Sequence, residues 1–280
     1  MNPDIDSTAL LAFLRSASDD EGLVALAAIR AAARRFALAH SEVETFLLEN
    51  GLFPLRYQRQ RRLFRAEGQL RLLESRVGLV GCGGLGGAIC ELLVRVGVGT
   101  IIAIDPDCFD ETNLNRQLLC RLDNLGRSKA AAAKEHAARL NSAVEVIPLA
   151  APFQDPSVKK HLAGCDLVFD GLDSVPARFE LADLCAKLGC YLVHGAVSGW
   201  CGQVALVAPG SGRLKELYPA AGELPEAGLE PVNLAPTVNA IAAFQVACGL
   251  RFLLDGSETG DAAAAGAFLD LSGPELERWF

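Results

Sequence analysis

The chain lacks what several function classes require. Its nine cysteines stand at 82, 90, 108, 120, 165, 185, 190, 201 and 248, and no two form a C-x-x-C pair. An odd count without paired spacing argues against a disulfide framework and against a zinc site built from paired knuckles. Scattered cysteines in an apolar chain serve as small core residues. No run of about eighteen apolar residues is present, so no membrane span is expected. The first ten residues, MNPDIDSTAL, carry acids where a secretory leader would carry lysine or arginine, so a cytoplasmic location is expected. Basic charge is scarce overall: 26 Lys and Arg against 34 Asp and Glu leave a net charge of −8, which speaks against DNA or RNA as a general partner.

What is abundant is apolar bulk. A hydrophobic fraction of 51% and a mean hydropathy of +0.26 fit a packed α/β core. A length of 280 residues fits one large domain or a domain with an appendage. The charge is uneven. Residues 55–76 hold seven arginines and no lysine against Glu67 and Glu74. The forked guanidinium suits phosphate, although a solvated helix face accounts for most of these arginines.

Residues 1–54 read as a helical module with a net charge of −4 and no strand alternation. Ser7 is positioned to cap a first helix, and Asp19 or Asp20 to start a second through ALAAIRAAARRFALAH. Ser41 with Glu44 forms a capping box for SEVETFLLEN, which Gly51 closes and Pro54 ends. Two adjacent short helices invite a helix-turn-helix reading, but the acidic balance counts against DNA.

From Arg76 onward strand and helix signals alternate. RVGLVG, TIIAID, VEVIPLA, CDLVFDGLD, YLVHGAV and GQVALVAP read as strands. AICELLVRVG, GRSKAAAAKEHAARLN, PSVKKHLA, PARFELADLCAKLG and the long apolar NLAPTVNAIAAFQVACGLRFLLDG read as helices. This pattern predicts a doubly wound, mostly parallel, Rossmann-like α/β sheet over residues 55–280, following the module at 1–54. Residues 209–233, rich in Gly, Pro and acids, are expected to form a crossing loop, and GAFLDL to add an edge strand.

Two strings carry the chemistry. Gly81, Gly83 and Gly86 satisfy G-x-G-x-x-G directly after a strand and at the opening of a helix, where backbone N–H groups can approach phosphate. Asp105 ends the next strand, nineteen residues beyond Gly86, and suits a ribose. These features alone fit a nicotinamide- or flavin-dependent enzyme equally well. NLNRQ then places Asn113, Arg116 and Gln117 in one loop. Arg116 has no apolar face to cover there. Lys129 opens a helix, where a cation is disfavoured unless a polyphosphate offsets it; the alternative is a snorkelling surface lysine. Asp170 and Asp173 frame DGLD at a strand's C-terminal end. One carboxylate there can hold magnesium bridging phosphate oxygens. The helix cap is assigned to Asp170 or Ser174 and the metal to Asp173.

Taken together, residues 55–254 resemble the adenylating domain shared by ubiquitin-activating enzymes and their bacterial relatives MoeB, ThiF and HesA. The matching strings occur in family order: RYQRQ (56–60), GCGGLGG (81–87), DPD (105–107), NLNRQ (113–117), GRSKA (126–130), DGLDSVPAR (170–178) and GQV (202–204). The resemblance implies that Gly81, Gly83, Gly84 and Gly86 cradle the phosphates of ATP and that Asp105 takes the ribose, with Asp107 of the same string beside the nucleotide. It implies that Asn113, Arg116, Gln117 and Lys129 contact the triphosphate and that Asp173 holds Mg2+. Arg59 matches the arginine that reaches the other subunit's ATP, which implies a homodimer. The implied substrate is the C-terminal carboxylate of a small ubiquitin-like sulfur-carrier protein ending in Gly-Gly. Zinc is not expected, because the region around 209–220 lacks the C-x-x-C pairs of MoeB-like members. The crossing loop also lacks a cysteine for a thioester; Cys201, before GQV, is the nearest in sequence. Rival readings are an adenylating enzyme acting on a peptide or a tRNA base with residues 1–54 as a clamp, a nicotinamide-dependent oxidoreductase, and a non-catalytic scaffold.

Overall fold

A computed structural model describes residues 6–218, 232–255 and 266–273, and the backbone of 275–279. The first segment is helical, with different caps from those expected. Helix α1 (Ser7–Ser16) starts from Asp6, whose carboxylate accepts the Ala9 N–H at 2.9 Å. Ser7 is therefore already the first helical residue. Asp19 does not open the next helix. Its side chain accepts the N–H groups of Glu21 and Leu23 at 3.0 and 2.8 Å and shapes the turn into strand β1 (Leu23–Val24).

Helix α2 (Leu26–Phe36) follows, then α3 (His40–Glu49). Because α3 begins before Ser41, it is Glu42 and not Glu44 that reaches back, accepting the Ala39 N–H at 2.7 Å. Glu44 lies one turn side inward, fully buried, with Oε1 2.9 Å from Arg56 Nη2. Gly51, at φ +74°, closes the segment as expected. Strand β2 (Phe53–Pro54) pairs in parallel with β1, a two-residue ladder that an all-helical reading of 1–54 leaves out.

A 3-10 turn (Leu55–Tyr57) leads to helix α4 (Arg61–Glu74). The order is then β3 (Arg76–Val80), α5 (Gly84–Val96), β4 (Thr100–Ile104), α6 (Lys129–Leu140), β5 (Glu145–Leu149), α7 (Pro156–Leu162), β6 (Leu167–Asp170), α8 (Val175–Leu188), β7 (Tyr191–Ser198), β8 (Cys201–Val207), α9 (Arg213–Leu217), α10 (Ala235–Asp255), β9 (Gly266–Asp270) and β10 (Glu275–Trp279). The main sheet runs β10-β9-β8-β7-β6-β3-β4-β5. Strands β5, β4, β3, β6 and β7 are parallel, and β8, β9 and β10 extend the sheet antiparallel. GAFLDL is thus not at the edge: β9 is covered by β10, with Glu275 opposite Asp270. Residues 219–231 of the expected crossing loop and the alanine run at 262–265 lie outside the described residues.

Alternation along the strands sorts side chains onto two buried faces. Val77, Leu79, Ile101 and Ala103 meet α5 and α10; Val80, Ile102, Ile104 and Val168 meet α7 and α8. Helix α10 is long and apolar enough, by length and composition, to pass for a membrane span, which the reading of the sequence did not anticipate. Here half of its apolar window is buried against the sheet and α5. A separate cluster of Leu23, Leu48, Phe53, Tyr57, Leu73 and Ala143 joins the N-terminal helices to the sheet domain. Asn141 Nδ2 donates to Tyr57 Oη at 2.7 Å within that seam.

Candidate functional site

Strand order places the site. From β3 the chain moves outward through β4 and β5, then returns to lay β6 on the other side of β3. The carboxyl ends of β3 and β6 therefore diverge into a crevice, the position where open α/β sheets take ligands. A cleft of about 310 Å³ occupies it, lined by Gly81, Gly83 and Gly84 from one side and by Gly171, Leu172 and Asp173 from the other.

The glycines are required by contact. Gly81 sits at φ +92°, and a Cβ there would lie 2.5 Å from the Gly171 carbonyl oxygen. A Cβ on Gly86 would lie 1.8 Å from the Gly81 oxygen, so Gly86 packs beneath the turn and does not line the cleft. The turn leads directly into α5, whose free N–H groups face the space where phosphate would lie.

Asp105 is buried at the end of β4. It accepts the Cys82 N–H at 2.7 Å and the Asp107 N–H at 2.8 Å. Burial raises its pKa, opposed first by those two N–H groups. Its carboxylate thus ties the glycine turn to the 105–107 loop while lining the cleft. Lys129 is not a snorkelling surface lysine. Its side chain is only 10% exposed and its Nζ lies 3.0 Å from Asp107 Oδ2, in the cleft wall. Asp107 offsets the cation at the helix N-terminus, and Ser128 caps α6.

Arg116 and Gln117 also line the cleft. Arg116 Nη1 donates to the Thr112 carbonyl at 2.8 Å and to Asn115 Oδ1 at 2.9 Å, which holds the guanidinium at the rim. Asn113 lies beneath, buried, with its Oδ1 accepting the Asp110 N–H at 3.3 Å. It shapes the loop and does not face the cleft. Asp173 is exposed in the opposite wall, and Ser174 caps α8 through Ala177 N–H at 3.3 Å. Asp170 is no cap; it is fully buried behind the wall. Arg59 stands apart, exposed in the turn before α4 and outside the cleft lining. Cys201 begins β8; partial burial and the Asp270 carboxylate push its thiol up, away from a reactive thiolate.

The residues present fit a nucleotide. The glycine turn has no room for a Cβ at Gly81 or Gly86, cations approach from Arg116 and Lys129, and the exposed Asp173 carboxylate stands in the opposite wall. That set also fits magnesium, which is commonly held by one or two carboxylates plus substrate phosphates.

Three polar residues in and behind that wall were not singled out from sequence: Arg178, which lines the cleft, and Tyr218 and His194 behind it. Arg178 Nη2 donates to the Leu172 carbonyl at 2.7 Å, and Nη1 lies 3.3 Å from Tyr218 Oη. Tyr218 Oη lies 3.3 Å from His194 Nε2, and His194 Nδ1 lies 2.7 Å from Asp170 Oδ2. The one local signal was a histidine inside the otherwise apolar strand YLVHGAV.

Comparison with known proteins agrees with this geometry. Residues 57–279 match the ThiF family. The SAMP-activating enzyme E1 of Haloferax volcanii is 36% identical over 200 residues, covering 70% of this chain and 73% of that one. The sulfur carrier protein ThiS adenylyltransferase of Escherichia coli is 30% identical over 210 residues, covering 73% and 83%. The adenylyltransferase and sulfurtransferase MOCS3 of Sus scrofa is 35% identical over 186 residues, but the match spans only 41% of its length. Among solved structures, Escherichia coli MccB with ATP shares the fold, at a TM-score of 0.67 and 21% identity over 89% of this chain and 81% of that one. With the family match running over most of its length and the glycine cradle, Lys129 and Asp173 meeting in one cleft, the chain belongs to the ThiF family.

Proposed function

We propose that the chain activates the C-terminal glycine carboxylate of a small ubiquitin-like sulfur-carrier protein by adenylation. It is an ATP-using adenylyltransferase of the ubiquitin-activating-enzyme-like class, as its relatives are named. One observation carries the reading: the switch-point cleft gathers a phosphate cradle, the cationic side chains of Arg116, Lys129 and Arg178, and the exposed carboxylates of Asp107 and Asp173, of which Asp107 is paired with Lys129. A nicotinamide-dependent oxidoreductase has no use for that charge set, and a scaffold has no need of it.

The chemistry follows from the charges. A carboxylate oxygen attacks the α-phosphorus, and a new P–O bond forms as the α–β bridging bond breaks. The electron pair leaves with pyrophosphate. No covalent bond to the protein is needed, so the rate rests on alignment and on neutralising the leaving group. The N–H groups opening α5 hold the phosphates, Asp105 orients the ribose, and Arg116 and Lys129 face the departing charge. Magnesium held by Asp173 would add neutralising charge on the phosphate oxygens. Arg59 is proposed to serve the partner protomer's site in a homodimer. No zinc and no thioester cysteine enter this scheme.

ATP–pyrophosphate exchange tests it. Exchange is expected only with an acceptor bearing a free C-terminal glycine. Asp173→Ala, an exposed change, should abolish the magnesium-dependent exchange while leaving the melting temperature unchanged. Acceptor-independent exchange, or wild-type rates in Asp173→Ala, would overturn the acceptor or the metal assignment respectively.

A further inference from the structure

Leu172 lies between the buried end of β6 and Asp173, and both of its backbone polar groups are tied. Its N–H donates to Asp170 Oδ1 at 2.9 Å, and its carbonyl accepts from Arg178. The remaining contacts close a circuit with one consistent direction. In that direction Arg178 donates to Tyr218 Oη, the Tyr218 hydroxyl is assigned as donor to His194 Nε2, which the Gln203 amide also faces at 3.5 Å, and His194 Nδ1–H as donor to Asp170 Oδ2. This direction assigns the ring hydrogen to Nδ1. Gln245 on α10 adds a clamp, with Nε2 donating to the Asp170 carbonyl at 2.9 Å and to the Val193 carbonyl at 3.1 Å.

Asp170 and His194 are fully buried, and neither lines the cleft. A buried carboxylate–imidazole pair is a poor way to gain stability, because apolar side chains of similar size do as well or better. What the circuit provides is geometry. It ties the Gly171–Asp173 turn at both backbone polar groups of Leu172, and that turn forms one cleft wall and carries, among the described residues, the only acidic side chain lining that wall.

We infer that His194 is a positioning residue for adenylation: by closing the circuit between Asp170 and Tyr218 it fixes the turn that presents Asp173. The inference rests on the adenylyltransferase reading and extends it to a residue that touches neither nucleotide nor metal. Hydrogen-bonded residues behind a metal ligand are typically worth ~10- to 100-fold in metal affinity.

The test is calorimetric titration of ATP into the full chain without acceptor at a series of Mg2+ concentrations, beside exchange kinetics and the melting temperature of the ATP-free chain. His194→Asn keeps a donor where Nδ1 stands; His194→Gln places its amide where Nε2 stands; His194→Ala keeps neither. The Ala and Gln variants should need ~10-fold more Mg2+ for half-maximal ATP binding and lose kcat by a similar factor with acceptor KM unchanged. The Asn variant should return to within ~3-fold of wild type. A wild-type Mg2+ requirement in His194→Ala, or equal defects in the Asn and Gln variants, would overturn the inference. If His194→Ala does not fold, Tyr218→Phe opens the circuit without a cavity, and an unchanged Mg2+ requirement there would overturn it too. A wild-type chain that binds no Mg·ATP would instead refute the adenylyltransferase reading, and the inference with it.

Discussion

Asp107 and Lys129 are joined twice. The Lys129 ammonium meets the Asp107 carboxylate at 3.0 Å, and the Lys129 N–H donates to the Asp107 carbonyl at the same distance. The second link survives any substitution that keeps the backbone N–H, so the loop after β4 stays docked on the start of α6 when the ammonium is removed. Lys129→Met keeps the buried stem and removes only the charge. Exchange should fall by ~100-fold, the usual cost of losing one donor aimed at developing charge. Stability should change by less than about 1 kcal/mol, since Asp107 is largely exposed. Exchange at the wild-type rate would show that the ammonium serves only its partner carboxylate.

The glycines of the cradle divide by role. Gly86→Ala pushes a methyl into the Gly81 peptide and should cost about 1–3 kcal/mol, as overpacking does. Gly83→Ala meets nothing closer than Gln117 Nε2 at 3.6 Å. It should melt like wild type yet bind ATP more weakly, because the methyl stands where phosphate approaches. Melting curves with and without ATP separate the two, and equal melting of both variants would refute the division.

Arg59 is expected to act across a subunit interface. Arg59→Ala and Asp173→Ala should each be inactive alone. Mixed and allowed to exchange subunits, they form some dimers in which one site has both side chains intact, so exchange activity should partly return. No recovery after proven subunit exchange would assign Arg59 to its own chain or to no site.

The purified protein is expected to hold no stoichiometric zinc. The basis is the absence of C-x-x-C pairs from the sequence, since tetrahedral structural zinc needs four ligands at suitable spacing. Elemental analysis returning about one zinc per chain would contradict this and direct attention to dispersed cysteines.

Glu44 couples pH to the seam between the N-terminal helices and the sheet. Burial, opposed by Arg56, pushes its carboxyl up to about 7 from an ordinary 4.5. Between those values the folded chain keeps a proton that the unfolded chain releases. Stability is therefore full below the lower value and is lost as pH rises through the upper one, by roughly 1–3 kcal/mol. The melting temperature should fall between pH ~5 and ~7.5, and Glu44→Gln should flatten that fall. An unaltered slope in the variant would place the pH dependence elsewhere.

The sheet domain was legible because its strands are continuous apolar runs and its helices begin and end on local signals, such as Ser128, Ser174 and Gly189. The cleft was legible because glycine turns and strand-end carboxylates act within a few residues of their own position. What escaped the sequence depends on partners far along the chain. His194 looked like one polar residue in a buried strand until the sheet set it beside Asp170, 24 residues earlier. Glu44 was placed in a capping box because the box pattern is local, whereas Arg56, which draws it inward, reaches it only after the chain has turned through β2. Ser7 lost the cap to Asp6 by one residue, the scale on which helix ends are least determined. The β1–β2 ladder is too short to leave any alternation.

The pairing of β3 with β6 has a consequence for how the protein is made. Val80 meets Asp170 across a span of ninety residues, and the Gly81 turn finds its facing wall only at Gly171. A nascent chain that has emitted the glycine string, and even α6, still has half a cradle. Such non-local pairings are the slow part of folding, because the closing of a long loop precedes any gain from contact. Nucleotide is then blind to every chain that has not completed its central pair of strands. Once they have joined, ATP stabilises the finished sheet by mass action alone, so binding reports assembly of the sheet and not the presence of the glycine motif.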